Sequence, residues 1–185
     1  NFLAVKSFFK KLHNYASVLK IELSKGKDFV MPDYNVFPDY KTRKEIINEL
    51  CDRYKFIKHC FAGKSVCGRG IDVLHIGNTK NRVLYCGGFH GSEYLTILAL
   101  LKFFEECCEA MESDKTVGGC KIGNFLSIRG LTIVPCVNPD GTEIALHGSD
   151  AAFKYKPLVE KVCTDTYKWQ ANARGVDICL LYTSP

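Results

Sequence analysis

The sequence contains no long hydrophobic run. Its longest strongly apolar stretch covers only residues 94–101, whereas a membrane-spanning helix needs about 20 apolar residues, so no membrane span is predicted. Glycine and proline number only 15 and 6 in 185 residues, which excludes collagen-like and low-complexity chains. With 46% hydrophobic and 24% charged residues, the composition is that of one globular domain that can bury a sizeable core.

No excess of one charge sign extends through the whole chain. The formal net charge is +5, but residues 1–30 hold six lysines against two acidic residues and so account for +4 of it. The other 155 residues carry nineteen basic and eighteen acidic side chains. A nearly neutral body lacks the electrostatic footprint of nucleic-acid binding, and we expect no nucleic-acid partner.

Paired CxxC motifs are absent, although the sequence contains ten cysteines. Several cysteines fall within apolar patterns, where burial is expected: Cys51, Cys86, Cys107 and Cys136. Because a chain of this length does not need disulfide bonds for its stability, we favour free thiols in a reducing cytosol over a disulfide framework.

The N-terminal segment differs in composition from the rest of the chain. Residues 1–30 are basic and loosely amphipathic, and the first methionine is Met31. They lack the compact apolar region and cleavage site of a signal peptide. Three interpretations stay open: an interfacial basic helix, a pro-segment, or upstream sequence translated in frame before a start at Met31. A start at Met31 predicts a cytoplasmic protein, and the other two interpretations leave the location open.

The C-terminal residues 179–185, CLLYTSP, resemble the translation of a transposase sequencing adapter. We interpret them as a non-native tail, with an ordinary short tail as the alternative. The predicted organisation is therefore a basic segment over residues 1–30, an incomplete domain over residues 31–178, and the tail over residues 179–185.

Hydrophobic periodicity predicts strands that alternate with helices. A capping box at Thr42 begins a helix over residues 42–54, and a second helical pattern begins at Ser92. Strands are predicted over residues 56–61, 71–76, 82–86 and 131–137. We expect the second and third to form a β-hairpin and the last to be a buried central strand.

The segments between and after these strands complete the fold class. Residues 115–130 are predicted to be a polar connection, and short helices are expected over residues 151–163 and 165–170. This alternation indicates an α/β domain whose sheet is mostly parallel or mixed and is covered by helices on both faces.

A histidine and a glutamate follow the strand at residues 82–86 with the spacing of metal ligands. The loop Gly87-Gly88-Phe89-His90-Gly91 leads into the helical pattern, with Glu93 in its first turn. This loop lies at the carboxyl edge of the predicted sheet, where α/β proteins place their sites. Imidazole nitrogen and carboxylate oxygen are both zinc ligands. The HxxE pattern is common by itself, so the alternative is a pair of solvated surface residues.

Two further segments make this pattern specific: VPCVNPDGTE at residues 134–143 and WQANARGVD at residues 169–177. Together with GGFHGSE at residues 87–93, they resemble the ordered motifs of the zinc carboxypeptidase family, the carboxypeptidase A-like metallopeptidases. The stretch GKSVCGR at residues 63–69 is similar to the family's GxSxxGR stretch. The resemblance covers about residues 37–178.

The resemblance implies a sandwich around a mixed eight-stranded sheet, of which this chain holds a truncated part. It also implies one catalytic Zn²⁺ held by a histidine, a glutamate and a second histidine. His90 matches the first histidine and Glu93 matches the glutamate. Arg174 is the local candidate for the arginine that holds the developing oxyanion or the substrate, with an ordinary surface arginine as the alternative.

Further residues of these motifs are expected to support the site. We expect Asn138, Pro139 and Asp140 to shape the exit from the last strand, and Asp177 to orient the site. None of the remaining histidines matches the family's later histidine motif: His13, His59, His75 and His147.

The chain departs from the family pattern directly after the GVD motif. Where the family continues with an apolar residue and then Asn, usually followed by Arg-Asn-Phe, Ile178 is followed here by Cys179. The second histidine ligand and the general-base glutamate of the family would lie later still and are absent from these 185 residues.

The resemblance implies that the full-length parent is a zinc peptidase that hydrolyses peptide bonds with metal-activated water, and that this chain alone is inactive. WQANARGVDI and residues 145–150 look closer to the bacterial branch that cuts γ-D-glutamyl–diaminopimelate bonds than to digestive carboxypeptidases. The expected partner is a peptide, and within that branch a peptidoglycan stem peptide. The alternatives are a non-catalytic zinc- or peptide-binding module and an α/β domain without a site.

Overall fold

The structure, a computed structural model, describes residues 32–183, without the side chains of residues 182 and 183. The strands in this range are β1 (Lys58–Lys64), β2 (Gly70–Ile76), β3 (Arg82–Cys86), β4 (Thr116–Val117), β5 (Cys120–Lys121) and β6 (Gly130–Val134). The α-helices are α1 (Tyr40–Arg53), α2 (Leu95–Glu112), α3 (Ile122–Ile128), α4 (Pro139–His147), α5 (Lys156–Val162) and α6 (Ile178–Thr183). Residues 1–31 lie outside the described range, so the interpretations of the basic segment and of Met31 stay predictions.

Helix α1 forms where helical periodicity predicts it, but another residue caps it. The predicted capping box placed the cap at Thr42, whereas the N-cap is Asp39, whose carboxylate accepts a hydrogen bond from the Thr42 backbone N–H at 2.8 Å. An aspartate is among the strongest N-cap residues because its oxygen satisfies one of the free N–H groups of the first turn. The apolar side of α1 buries Ile46, Ile47 and Leu50.

The central sheet has the strand order β1-β2-β6-β3. Strand β2 pairs antiparallel with both β1 and β6, and β3 pairs parallel with β6, so the sheet is mixed as predicted. The predicted β-hairpin of residues 71–76 with 82–86 is wrong, because β6 lies between these two strands. Strand β6 is almost entirely buried, and an apolar strand gains most where it has a neighbour on each side.

The hydrophobic core consists of two clusters of buried side chains. The larger one joins α1, α2 and α3 to β2 and β6, with Leu50, Leu74, Ile97, Leu101 and Ile133 each at 0% exposure. The smaller one joins α4 and α5 to the 3₁₀ helix Ser149–Tyr155 and to Trp169. Within residues 32–183, no helix is long and apolar enough to cross a membrane.

Several local predictions differ from the structure. The predicted connection over residues 115–130 contains the small β4–β5 sheet and helix α3. The helix predicted over residues 151–163 is divided at Phe153, whose positive φ of 52° interrupts the helical backbone. Cys107 and Cys136 are buried as expected, but Cys86 is exposed, because β3 is an edge strand whose pairs in the sheet lie only with β6. Helix α6 extends across the predicted junction before residue 179, and the origin of the tail stays a prediction.

Candidate active site

The loop that carries His90 follows directly from the parallel pairing of β3 with β6. Beyond the strand ends, the Val137 N–H donates to Gly87 O and the Asn138 N–H donates to Gly88 O, both at 2.9 Å. The Gly88 φ of +59° lies in the left-handed region, and an added Cβ would stand 2.9 Å from the Ile97 side chain. A side chain other than hydrogen would therefore be both strained and crowded at this turn.

The loop brings His90 and Glu93 to one point. The His90 Nδ1 atom is buried and has no hydrogen-bond partner among the described residues, and it lies 3.1 Å from Glu93 Oε2. The expected helix start at Ser92 is three residues early, because α2 begins at Leu95. Glu93 thus lies just before the helix, and its backbone oxygen accepts the Thr96 N–H at 3.1 Å.

Asp177 faces the other nitrogen of the same imidazole. Its Oδ1 lies 3.6 Å from His90 Nε2, which is too long for a hydrogen bond but close enough for electrostatic attraction. The side chain of His90 is 22% exposed, whereas those of Asp177 and Glu93 are 31% and 52% exposed. The imidazole is therefore enclosed between two partly solvated carboxylates.

Glycine permits the three motif segments to touch at backbone level. A Cβ on Gly91 would stand 2.3 Å from Gly141 O and 2.6 Å from Trp169 O. A Cβ on Gly141 would stand 2.5 Å from Ala171 O. These distances are far inside van der Waals contact, so larger residues at either glycine would separate the segments.

Asn138 connects the same three segments through its side chain, which is 1% exposed. Its Oδ1 accepts the Gly141 N–H at 2.9 Å and so caps helix α4. Its Nδ2 donates to Phe89 O at 2.9 Å and to Gln170 O at 3.4 Å. Asn138 therefore shapes the exit from β6, as the sequence predicts.

Asp140 serves the scaffold, and its carboxylate is committed to donors from the residue 63–69 stretch. It accepts hydrogen bonds from Ser65 Oγ at 2.7 Å, Cys67 N at 2.9 Å and Arg69 Nη1 at 2.8 Å. With the Asp140 side chain only 1% exposed, these bonds join the β1–β2 turn to α4. Sequence reasoning missed this pairing, and the opposite charges of the residue 63–69 and 134–143 motifs, Arg69 in one and Asp140 in the other, were the signal that could have suggested it.

Arg174 forms no side-chain hydrogen bond or ion pair with His90, Glu93 or Asp177. Its side chain is exposed and forms no ion pair within residues 32–183, while its backbone N–H donates to Asn172 Oδ1 at 2.8 Å. The turn from Asn172 to Val176 closes with a 2.9 Å backbone hydrogen bond. The role of Arg174 in substrate or oxyanion binding stays a prediction.

The other described histidines are engaged elsewhere. His59 Nε2 lies 2.8 Å from Asp72 Oδ1 and His147 Nε2 lies 3.1 Å from Asp39 Oδ2. His75 bonds to Thr132 and Gly77, and His13 lies outside the described residues. Across residues 32–183, no group of three His, Cys, Asp or Glu side chains is assembled that could hold a metal ion.

The His90–Glu93 pair nevertheless fits part of a zinc site. Two tetrahedral ligands that are each about 2.1 Å from one ion stand about 3.4 Å apart, close to the 3.1 Å between His90 Nδ1 and Glu93 Oε2. The unpartnered, buried Nδ1 is the feature that a metal ion would satisfy. Asp177 at Nε2 corresponds to the carboxylate that often holds the second nitrogen of a metal-bound histidine.

Comparisons with known proteins identify the fold and the family. The sequence profile of the zinc carboxypeptidase family, peptidase M14, matches residues 43–179. The chain is 30% identical over 143 residues to γ-D-glutamyl-L-diamino acid endopeptidase 1 of Lysinibacillus sphaericus, covering 76% of this chain and 36% of that protein.

Solved structures share the fold at low identity. The crystal structure of thrombin-activatable fibrinolysis inhibitor matches with a TM-score of 0.59 at 18% identity, covering 80% of this chain and 32% of that one. A metallo-carboxypeptidase from Pseudomonas aeruginosa matches with a TM-score of 0.52 at 18% identity, covering 78% and 32%. The chain thus spans about a third of the length of these proteins. Since the family profile matches most of its residues, the chain belongs to the zinc carboxypeptidase family.

Proposed function

We propose that this chain is part of a zinc-dependent peptidase in which His90 and Glu93 are two of three zinc ligands. The observation that carries the proposal is the buried, unpartnered Nδ1 of His90 at 3.1 Å from the Glu93 carboxylate. Zinc bound there would supply Lewis acidity and a water with a lowered pKa, the chemistry of peptide hydrolysis. Asp177 would hold the imidazole from its other side and keep Nδ1 directed towards Glu93.

A third ligand and a general base are needed for turnover. Within residues 32–183 the other histidines bond to residues outside the His90 loop, and the exposed Arg174 side chain forms no ion pair. We therefore propose that the full-length parent is the active peptidase and that the 185-residue chain hydrolyses nothing. The third ligand and the general base would have to come from outside the described residues.

The substrate that we propose for the parent is a γ-D-glutamyl peptide of the bacterial cell wall, such as a peptidoglycan stem peptide. The support is the 30% identity with an endopeptidase named for γ-D-glutamyl-L-diamino acid bonds. An exposed guanidinium that forms no ion pair with any residue from 32 to 183 suits a negatively charged peptide, because arginine binds carboxylates through two parallel hydrogen bonds. Arg174 is the residue that we propose for this contact.

Zinc binding by the chain tests the ligand assignment. Chelator competition is expected to show weak 1:1 zinc binding that both His90→Ala and Glu93→Gln weaken by at least about tenfold, because each variant removes one ligand atom. Equal zinc affinity in the wild type and Glu93→Gln would contradict it and would favour a domain without a site. Arg174→Ala is the matched control, since it removes a charge outside the pair.

Hydrolysis assays test the rest of the proposal. A γ-D-glutamyl-diamino acid peptide is expected to remain uncleaved by this chain and to be cleaved by the full-length parent with His90 intact. In the parent, Arg174→Ala is expected to raise KM for an anionic peptide more than it lowers kcat. Robust cleavage by the 185-residue chain that is abolished by His90→Ala would overturn the claim of inactivity.

A second candidate is a non-catalytic zinc- or peptide-binding module. The support for it is that the described residues bring together only two side chains suited to zinc, His90 and Glu93. Peptide binding without cleavage by the full-length parent would select it over the peptidase.

A further inference from the structure

The side-chain amide of Asn138 connects the His90 loop to the segment of residues 169–177. His90 is bracketed by two hydrogen bonds: Phe89 O accepts from Asn138 Nδ2 at 2.9 Å, and the Gly91 N–H donates to Gln170 O at 3.3 Å. Gln170 O in turn accepts from the same Asn138 Nδ2 at 3.4 Å. The backbone on both sides of His90 is thus tied, directly or through one carbonyl, to a single amide group.

We propose that Asn138 is the positioning residue that fixes the His90 loop against the segment carrying Asp177. The segment of residues 169–177 begins beside the Asn138 amide and ends at Asp177, whose Oδ1 lies 3.6 Å from His90 Nε2. Asn138 would hold the imidazole between Glu93 and Asp177 without touching metal or substrate. The effect of Asn138 on zinc affinity rests on the proposed function, whereas its effect on amide hydrogen exchange in the loop does not.

The chemistry of the position requires a carboxamide. One oxygen must accept from the Gly141 N–H while one nitrogen donates to two carbonyl oxygens. Asparagine carries an acceptor and two donors on one planar group. Aspartate has the same size and keeps the acceptor for the helix cap, but it would turn an oxygen towards two carbonyl oxygens in a site where the residue is 1% exposed. An unpaired oxygen is costly in such surroundings.

The His90 loop is packed tightly against the backbone of the two neighbouring segments. Gly91 lies against Gly141 O and Trp169 O, and Gly141 lies against Ala171 O, with no room for a Cβ at either glycine. Because the three segments are in direct contact, loss of the amide bridge cannot be absorbed by a side-chain rearrangement between them. The loop should instead open locally at Phe89–Gly91.

Asn138→Asp and Asn138→Ser test the proposal on the intact 185-residue chain. Both keep a capping oxygen for α4 and remove the bridge to the Phe89 carbonyl. Thr142→Val is the matched control, because it removes a buried hydroxyl from the same turn of α4, bonded to Asn138 O at 3.2 Å, without touching the His90 loop. Asn138→Ser serves where Asn138→Asp does not fold.

Amide hydrogen exchange is the first readout. The Asn138 variants are expected to speed exchange of the Gly91 amide by about tenfold or more relative to amides of β2, as loss of a buried hydrogen bond would. Thr142→Val is expected to leave that ratio unchanged. Equal acceleration of Gly91 and β2 amides, or the same local effect in Thr142→Val, would overturn the positioning role.

Zinc affinity is the second readout. Asn138→Asp is expected to weaken zinc binding by about 10–100-fold, the usual effect of losing a residue that orients a ligand, and Thr142→Val to leave it unchanged. Equal zinc affinities in the two variants would contradict the proposal. If the wild type binds no zinc, the proposed function fails for this chain, and hydrogen exchange alone decides whether Asn138 positions the loop.

Discussion

His75 and His90 lie in the same α/β framework but meet opposite surroundings. His75 is 6% exposed, with Nδ1 at 2.8 Å from Thr132 Oγ1 and Nε2 at 3.2 Å from Gly77 O. His90 is less buried, yet its Nδ1 has no hydrogen-bond partner within the described range and faces a carboxylate. A histidine whose two nitrogens both form hydrogen bonds within the protein serves the scaffold, whereas one whose nitrogen lies beside a carboxylate without a hydrogen bond can share a ligand with it.

The same contrast applies to two acidic residues. Asp140 uses both carboxylate oxygens on donors from residues 65–69, whereas the Glu93 side chain is 52% exposed and forms an ion pair with the His90 ring. The hydrogen bonds of the Asp140 carboxylate hold two segments together, and within residues 32–183 the Glu93 carboxylate takes no part in holding segments together. In both pairs the member that is more exposed is also the one whose polar atoms are less committed to the protein.

The largest effect is expected from a change that disrupts the close backbone packing next to His90. Gly91→Ala is expected to destabilise the fold by about 2–4 kcal/mol, because the new methyl group overlaps two backbone carbonyl groups and no rotamer can relieve the overlap. Urea denaturation measures the loss. Gly123→Ala is the control, since nothing lies within 4 Å of a Cβ there, and this variant should be neutral or stabilising. Equal stability of both variants would mean that the three segments are not in close contact.

Replacing His75 and His90 separately by alanine tests whether one serves stability and the other zinc binding. His75→Ala is expected to cost about 2 kcal/mol of unfolding free energy, because it leaves a cavity and an unpaired Thr132 hydroxyl, with zinc affinity unchanged. His90→Ala is expected to cost less than about 1 kcal/mol while zinc binding is lost. Urea denaturation measures the unfolding free energy of each variant, and chelator competition measures its zinc affinity. If the His75→Ala variant is fully folded but no longer binds zinc, His75 and His90 do not have separate roles in stability and zinc binding.

The smallest effect expected is a pH dependence of stability from His75. Burial lowers the pKa of His75 below its ordinary value, and the nearby charges of Arg82 and Lys58 act in the same direction. The unfolded chain therefore takes up the proton first. The contribution of neutral His75 is complete above about pH 6.5 and is lost as the pH falls towards the lower pKa of the folded state.

Denaturation of the wild type and His75→Gln between pH 7.5 and 5.5 measures this effect. Because glutamine does not titrate, the stability advantage of the wild type should shrink as the pH falls. An advantage that stays constant or grows would show that His75 is not held neutral. The His75 ring resonances followed by NMR should give the lowered pKa independently.

Local sequence patterns predicted the individual elements better than their pairing. Helix α1 and strands β2, β3 and β6 lie close to their predicted positions, because periodicity records which residues face the core. The hairpin of β2 with β3 was wrong, because strands that follow each other in the sequence need not be neighbours in the sheet. The place of β6 between the two strands depends on pairing with residues more than forty positions away.

The candidate site shows the same division. Glycines before His90 and the three-residue spacing to Glu93 predicted that both side chains reach one point, and the structure brings them together. The bridge from Asn138 to Phe89 and the commitment of Asp140 to Arg69 join segments 49 and 71 residues apart. No periodicity within a single segment carries such information.

The sequence by itself determined the α/β class through its hydrophobic periodicity, the family through the resemblance of its ordered motifs, and the pair of groups suited to a metal through the spacing of His90 and Glu93. Only the tertiary structure decided which histidine has a free nitrogen, which carboxylate is used up, and where β6 enters the sheet. The physical reason is that a polar group's function depends on which partners surround it, and distant segments supply those partners when the chain packs.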